Sequence, residues 1–128
     1  MTAIVRTFTF DTLDPYAQAQ FWSQVLGTGM DPEDAPGDPA ATVSLGDGRP
    51  PLLFEQVPDA KSVKNRLHLD LEPQQPRDQE VDRLLSIGAT TVDDRRRTDG
   101  TGWVVLADPE GNEFCVLMSA EERARLQP

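Results

Sequence analysis

The feature that most constrains the fold is an imperfect internal repeat. An alternating segment containing Phe8 and Phe10 matches a later one containing Leu69 and Leu71 at a shift of 61 residues, and two glycines at helix ends match at the same shift. Each half predicts the order strand, helix and three strands. A module of about sixty residues buries too little surface to be stable alone. The two modules must therefore pack together or against another chain.

The first module, about residues 1–60, is predicted to contain one strand, then a helix, then further strands. Asp14 is a candidate N-cap, Pro15 suits the first helical position, and Gly27 suits the C-cap. An acidic segment rich in proline and glycine follows and reads as a loop. Three segments are assigned as strands, 4–10, 41–45 and 51–57, so one of the three strands that the pattern has after the helix is not located.

The second module, about 61–128, repeats this pattern. An apolar face through 81–87 predicts a helix, and Ser119 with Glu122 forms a capping box that predicts a short terminal helix. The predicted strands are 67–71, 89–92, 103–107 and 113–118. Together the modules predict one domain over residues 1–128.

Charge and cysteine content narrow the class of protein. The formal net charge is −10, which disfavours binding to nucleic acids and to anionic membrane surfaces. Cys115 is the single cysteine, so an internal disulfide and a Cys-rich zinc site are excluded. No apolar run is long enough to span a bilayer or to form a signal peptide. We expect a cytoplasmic protein.

Three segments give the chain a family resemblance. They are the first-helix pattern Asp14-Pro15 … Phe21-Trp22 … Leu26-Gly27, the turn Ala107-Asp108-Pro109-Glu110-Gly111-Asn112, and the pair of segments 52–58 and 64–71. In this order the chain resembles the glyoxalase-like and bleomycin-resistance-like proteins of the vicinal oxygen chelate superfamily. The resemblance implies an α+β fold in which two βαβββ modules form a curled, cup-like mixed sheet of about eight strands, with helices on the outer face. It also implies a homodimer.

The resemblance further implies where a metal ion would bind. In such folds the first and fourth strand of each module each direct one ligand into the cup. The matching positions here are Thr7, Glu55, His68 and Cys115. Thr7 is a poor ligand, and metal-binding relatives usually carry Glu in place of Cys115. We therefore expect no tightly held metal, and the alternative is a divalent ion at Glu55, His68 and Cys115.

Strand alternation predicts which side chains line the cup in the second module. If Leu67, Leu69 and Leu71 pack under the helix, then Arg66, His68 and Asp70 point into the cup. A register slip of two would exchange Arg66 for His68, and a slip of one would reverse the faces. His68 is the only histidine and is a candidate general base or metal ligand. The alternative is a neutral imidazole that is simply hydrogen-bonded to Asp70 or Glu55.

Four other residues have alternative interpretations. Glu55 is a candidate catalytic carboxylate, although alternation does not fix which face it takes, and Phe54 is a candidate ligand contact beside it. Trp103 either lines the cup, where it would pack on a planar ligand, or lies on the rim at a dimer contact. Cys115 is either an inert buried thiol or a ligand.

Three functions remain open from the sequence. The first is a protein that binds a small organic ligand without a complete metal site, and its acidic surface would attract a cationic ligand. The second is a divalent-metal-dependent lyase, isomerase or dioxygenase, with a metal-free variant in which His68 moves a proton and Asp70 orients it. The third is an interaction module without pocket chemistry.

Overall fold

The computed structural model describes residues 1–126, and contacts divide the chain into two compact units, residues 1–61 and residues 62 onward. Each unit combines a β-sheet with a main helix. The predicted α+β class is therefore confirmed. That the two modules form one domain stays a prediction.

The first unit is a three-stranded sheet covered by one helix. Its elements are β1 (Phe8–Thr12), α1 (Pro15–Leu26), β2 (Ala40–Val43) and β3 (Leu52–Gln56). The strand order is β1-β3-β2, in which β1 runs parallel to β3 and β2 runs antiparallel to it. Parallel neighbours need a crossover connection, and α1 supplies it.

Helix α1 begins and ends where the sequence predicts. The Asp14 side chain accepts a hydrogen bond from a first-turn amide, Pro15 occupies the first turn, and Gly27 ends the helix in the left-handed conformation with φ 67°. Its inner face packs against β2 and β3. The Trp22 side chain is only 1 % exposed, and its ring centroid lies 6.3 Å from that of Phe10.

The second unit is a four-stranded sheet with two helices. Its elements are β4 (Asp70–Leu71), α2 (Arg77–Ser86), β5 (Thr90–Asp94), β6 (Val104–Ala107), β7 (Glu113–Val116) and α3 (Ala120–Arg125). The strand order is β4-β7-β6-β5, with β4 parallel to β7 and the other neighbours antiparallel. Helix α2 packs against β7, and α3 opens with the predicted capping box.

The described residues form seven strands, where about eight were predicted. The first module supplies two strands after its helix instead of three. Met30 makes a single antiparallel bridge to Val43 in place of the missing strand. The segment after Met30 contains three prolines before β2. Proline lacks the amide hydrogen that a strand ladder requires, so the pairing cannot extend.

Strand β4 is also shorter than the predicted strand 67–71. Backbone pairing to β7 begins at the carbonyl of Leu69, which accepts from the amide of Cys115 at 2.9 Å. Farther upstream, a side chain replaces the backbone. The Asn65 amide donates to the Glu113 carbonyl at 3.1 Å and accepts from the Glu113 amide at 2.8 Å. The chain upstream of Leu69 is therefore free to leave the extended conformation.

A transmembrane helix needs about 20 apolar residues. Within residues 1–126 no helix has the length and apolar character to cross a bilayer, since even α1 has 12 residues.

Candidate functional site

The register of the second sheet divides its side chains between a helix-covered face and an open face. Asp70 lies opposite Cys115 on β7, and Cys115 lies opposite Val105 on β6. Residues directly opposite each other share a face, and their alternating neighbours on β6 and β7 are buried at 1 % exposure or less: Val104, Leu106, Phe114 and Val116. Asp70, Val105 and Cys115 therefore lie on the open face.

A cavity of about 430 Å³ lies on this open face. Its polar lining residues are Lys64, His68, Asp70, Glu113 and Cys115, and its apolar lining residues are Trp103, Val105, Phe114 and Leu117. All of them belong to the second unit. The volume falls within the range of about 300 to 1,000 Å³ that is typical of small-molecule sites.

His68 and Asp70 form a hydrogen-bonded pair in the cavity. The Nδ1 atom of His68 lies 3.1 Å from Oδ1 of Asp70. An ionised carboxylate only accepts hydrogen bonds, so Nδ1 is the donor to Asp70. The side chains are 44 % and 50 % exposed, so water screens their attraction. The pair therefore orients the imidazole, with Nδ1 facing Asp70 and Nε2 outside this bond.

Cys115 is half-buried beneath this pair. Burial raises the pKa of its thiol to about 11, and the charge of Asp70 and its hydrogen bond to the thiol act in the same direction. The thiol is therefore protonated at neutral pH. A protonated thiol is a poor nucleophile, which supports a packing role for Cys115.

A second polar pair borders the cavity. The Nζ atom of Lys64 lies 3.1 Å from Oε2 of Glu113, whose side chain is only 15 % exposed. The backbone of Glu113 is held at the same time by the Asn65 side chain. Lys64 and Asn65 thus fix the segment before β4 against the edge of β7.

Trp103 supplies the aromatic part of the lining. It is 37 % exposed, and the guanidinium carbon of Arg97 lies 5.9 Å from the ring centroid. This distance is within the range of a cation–π interaction. Trp103 shares the open face with Val105 because it lies two residues before it on the chain, as alternation predicts.

The structure places His68, Asp70, Trp103 and Cys115 around one cavity. The sequence analysis expected His68 and Asp70 to line a cup and left alternatives open for Trp103 and Cys115. The structure does not place Arg66 among the lining residues. The chain bends at 66–67, because regular pairing with β7 starts only at the end of this segment. For the same reason Leu67, predicted to lie under the helix, is 71 % exposed.

The other predicted site residues lie in the first unit. Phe54 is 0 % exposed and its ring stacks on that of Phe10 at 5.2 Å, so it is a core residue and not a ligand contact. Glu55 follows it on the opposite, open face and is exposed. Thr7 precedes β1, and its hydroxyl lies 2.8 Å from that of Thr9.

The sheet register also corrects how the modules correspond. In the first sheet Thr9 lies opposite Leu53, and in the second Asp70 lies opposite Cys115. Since Asp70 follows Thr9 by the repeat shift of 61, Leu53 is the counterpart of Cys115. Glu55 lies two residues farther along its strand than the sequence comparison of the modules assumed.

Sequence reasoning missed Lys64, Asn65 and Glu113. The first two lie between the predicted strands 51–57 and 67–71, where the sequence assigns no pairing and so indicates no contacts. Glu113 could have been found from the sequence, because it lies two residues before Cys115 on one predicted strand and its side chain therefore points to the same face.

Three donors in the cavity form a compact group. One ring nitrogen of His68, one carboxylate oxygen of Asp70 and Sγ of Cys115 all lie within 4.8 Å of one another. Donors bound to one zinc ion lie about 3.3 to 3.8 Å apart, so the widest separation would contract by about 1 to 1.5 Å. A thiol and an imidazole suit a soft ion such as zinc, whereas Mn(II) and Mg(II) prefer oxygen ligands. The group therefore does not fit a hard ion.

Comparison with known families gives one match over most of the chain. The family model described as "Glyoxalase-like domain" matches residues 7–117. No curated protein is significantly similar to the chain in sequence.

Solved structures share the fold at low sequence identity. A glyoxalase/bleomycin resistance protein/dioxygenase family enzyme from Burkholderia phytofirmans PsJN has a TM-score of 0.67 and 20 % identity, covering 89 % of this chain and 97 % of that chain. A glyoxalase-related enzyme from Fulvimarina pelagi has a TM-score of 0.65 and 16 % identity, covering 91 % and 88 %. The fosfomycin resistance protein FosX from Listeria monocytogenes, solved as a mutant with Mn(II) and 1S,2S-dihydroxypropylphosphonic acid, has a TM-score of 0.67 and 14 % identity, covering 98 % of both chains. At these identities the likeness shows the fold alone.

Proposed function

Because the chain belongs to the glyoxalase-like domain family, we propose that it binds a small organic molecule in the cavity of its second unit. The observation that carries this proposal is the combination of a 37 % exposed indole, Trp103, with the hydrogen-bonded pair of His68 and Asp70 in one cavity. An apolar surface with a few convergent polar groups is the usual composition of a small-molecule site.

The charges of the lining favour an organic cation over an anion. The ammonium of Lys64 is paired with Glu113, so the carboxylate of Asp70 is not matched by a lysine or arginine of the lining. The net charge of −10 attracts cations toward the whole surface. Trp103 already has the guanidinium of Arg97 near its ring. We therefore propose a ligand with a planar part that packs on the indole and a cationic group near Asp70.

A matched pair of probes tests this proposal. Phenethylammonium and 3-phenylpropionate carry the same ring on a short chain but have opposite charges. We expect the cation to raise the melting temperature and to bind with a Kd in the millimolar range, as suits a fragment of this size. The anion should bind at least tenfold more weakly. Thermal shift and isothermal titration calorimetry measure both values.

Two variants connect this binding to the cavity. Trp103→Ala should abolish binding of the cation, whereas Leu85→Ala on α2 should not change it, although both side chains are 37 % exposed. Equal binding of the two probes would contradict the proposed charge preference. Binding that survives Trp103→Ala would place the site elsewhere.

The group of His68, Asp70 and Cys115 favours a second candidate, a divalent-metal-dependent lyase, isomerase or dioxygenase. A bound ion there would act as a Lewis acid toward an oxygen of the substrate. Glu55, the other metal ligand predicted from the sequence, belongs to the first unit and not to this group. Calorimetry with zinc and Mn(II) on chelator-treated protein distinguishes the candidates. Zinc binding that is lost in Cys115→Ser would support the metal-dependent enzyme.

A further inference from the structure

We propose that Arg77, on α2, is a positioning residue that holds Trp103 in the cavity wall by organising residues 95–102, called here the β5–β6 loop. The proposal rests on the proposed function in one respect, namely that the cavity binds a ligand. Arg77 does not line the cavity and acts only through the loop.

The Arg77 side chain is buried and directed at the loop backbone. It is 5 % exposed, and its Nη1 atom donates to the carbonyl oxygens of Gly100, Thr101 and Gly102 at 3.3, 3.2 and 2.9 Å. One nitrogen with two hydrogens is thus shared among three consecutive carbonyls. A buried guanidinium is costly unless its donors are satisfied. Nε donates to the neighbouring Asp78 at 3.3 Å, whereas all three acceptors of Nη1 are backbone groups of the loop, so the guanidinium fixes the path of the loop.

The loop can meet Arg77 in this way only because it turns sharply at its end. Gly102 has φ 94°, and a Cβ atom there would lie 2.0 Å from the carbonyl oxygen of Arg95. The amide of Arg95 donates to the carbonyl of Trp103 at 2.8 Å. The two ends of the loop therefore close on each other immediately beside Trp103.

Trp103 lies just outside β6, which begins at Val104. On one side of Trp103, Arg77 binds the carbonyl of the preceding residue, Gly102. On the other side, the carbonyl of Trp103 itself accepts from the amide of Arg95. The same loop places Arg97 5.9 Å from the indole centroid. The position of the indole is thus set by the loop, and the loop is set from beneath by Arg77.

The loop has a second link to α2, and this link is exposed. Arg96 pairs with Asp78 at 3.1 Å and with Asp94 at 2.6 Å. The Asp78 side chain is 68 % exposed. Water screens such pairs and they fix geometry weakly. Of these two links to the helix, the buried one at Arg77 is therefore the one that positions the loop.

Fluorine NMR of protein labelled with 5-fluorotryptophan tests the proposal without any ligand. The two indoles give separate resonances, and Trp103→Phe identifies that of Trp103. Arg77→Met keeps a long apolar side chain but removes every donor, so we expect the Trp103 resonance to shift and broaden while that of Trp22 stays in place. Arg77→Lys retains an ammonium with three donors and should restore the resonance in part.

The matched control is Arg83→Met on the same helix. Arg83 pairs with Glu80 on the same helix at 2.7 Å, so this variant likewise removes a paired guanidinium from α2. It should leave the Trp103 resonance unchanged. Binding of phenethylammonium should weaken about tenfold in Arg77→Met and stay within twofold of the unmodified protein in Arg83→Met.

A Trp103 resonance that is unchanged in Arg77→Met, whatever the loss of thermal stability, would overturn the proposal and leave Arg77 as a structural residue. If that variant does not fold, Gly102→Ala disturbs the same loop without altering Arg77, and an unchanged Trp103 resonance there would equally overturn it. Absence of phenethylammonium binding in the unmodified protein would contradict the proposed ligand only. The fluorine spectra decide the role of Arg77 independently.

Discussion

The two sheets have similar helix-covered faces and different open faces. In each, a short first strand runs parallel to a later strand, and the side chains under the main helix are apolar and buried. The open face of the first sheet carries Thr9, Leu53 and Glu55. The open face of the second carries Asp70 and Cys115 at the positions that correspond to Thr9 and Leu53.

This difference shows which part of the repeat is structural. The covered faces must be apolar in both modules, because burial of apolar area stabilises each sheet against its helix. The open faces are not constrained in this way, and in the second module they bring together an imidazole, a carboxylate, a thiol and an indole. The repeat thus preserves packing and leaves the chemistry free to differ.

The largest expected effect is a loss of stability at the helix-covered faces, which the two sheets have in common. Leu52 and Phe114 occupy corresponding positions in the two sheets, and they are 0 % and 1 % exposed. Truncation to alanine removes buried apolar surface and leaves a cavity. We expect the free energy of unfolding to fall by about 2 to 5 kcal/mol in Leu52→Ala and about 3 to 5 kcal/mol in Phe114→Ala. Urea denaturation measures both.

The exposed Leu67 is the control for these two variants, since Leu67→Ala should change the free energy of unfolding by less than about 0.5 kcal/mol. A small loss in Leu52→Ala together with a large loss in Phe114→Ala would mean that the two covered faces are not equivalent.

A binding effect of intermediate size is expected at the open faces, where the two sheets differ. His68 follows Thr7 by the repeat shift of 61. His68→Ala removes the imidazole and leaves Asp70 without the bond that orients it. We therefore expect the Kd of phenethylammonium to rise about tenfold, which corresponds to about 1.4 kcal/mol. Thr7→Ala should leave the Kd unchanged. Isothermal titration calorimetry compares them, and equal effects would contradict a site confined to the second sheet.

The smallest expected effect concerns the pH dependence at Cys115. Its folded pKa of about 11 lies above the ordinary value of 9.0. Between these values the folded protein keeps a proton that the unfolded chain has lost, so the free energy of unfolding falls as the pH rises through this interval. The rate of alkylation by iodoacetamide should rise with a midpoint near pH 11, measured by mass spectrometry.

Two variants check this pH dependence. Asp70→Asn removes a negative charge beside the thiol and should lower the alkylation midpoint. Cys115→Ser should reduce the loss of stability above pH 9. A midpoint at the ordinary value in the unmodified protein would show that the thiol is not desolvated.

Much of the fold follows from local sequence patterns. The cap at Asp14, the glycine at helix α1's end and the capping box of α3 are local signals, and the structure shows all three. The resemblance to the glyoxalase-like family is likewise confirmed, because it rests on the order of such signals along the chain.

The site was predicted less completely, because its details depend on pairing between distant segments. Alternation predicted an inward-facing Asp70 and left two positions open for Trp103. The face of Phe54 and Glu55 was settled only by the register of β1 with β3. The strand predicted at 67–71 lost its first residues to a side-chain contact from Asn65. The hydrophobic periodicity of one segment carries no information about a side-chain contact with a distant segment.

The two hydrogen bonds that Asn65 makes to the backbone of Glu113 have a consequence for association between molecules. A sheet edge with an unpaired amide and carbonyl is a template on which a strand of another chain can add, and this is a common route to aggregation. At Glu113 both groups are already occupied by one side-chain amide. A single residue therefore caps the border of the second sheet where its edge strand stops short, and replacing it by alanine would offer that border to a foreign strand.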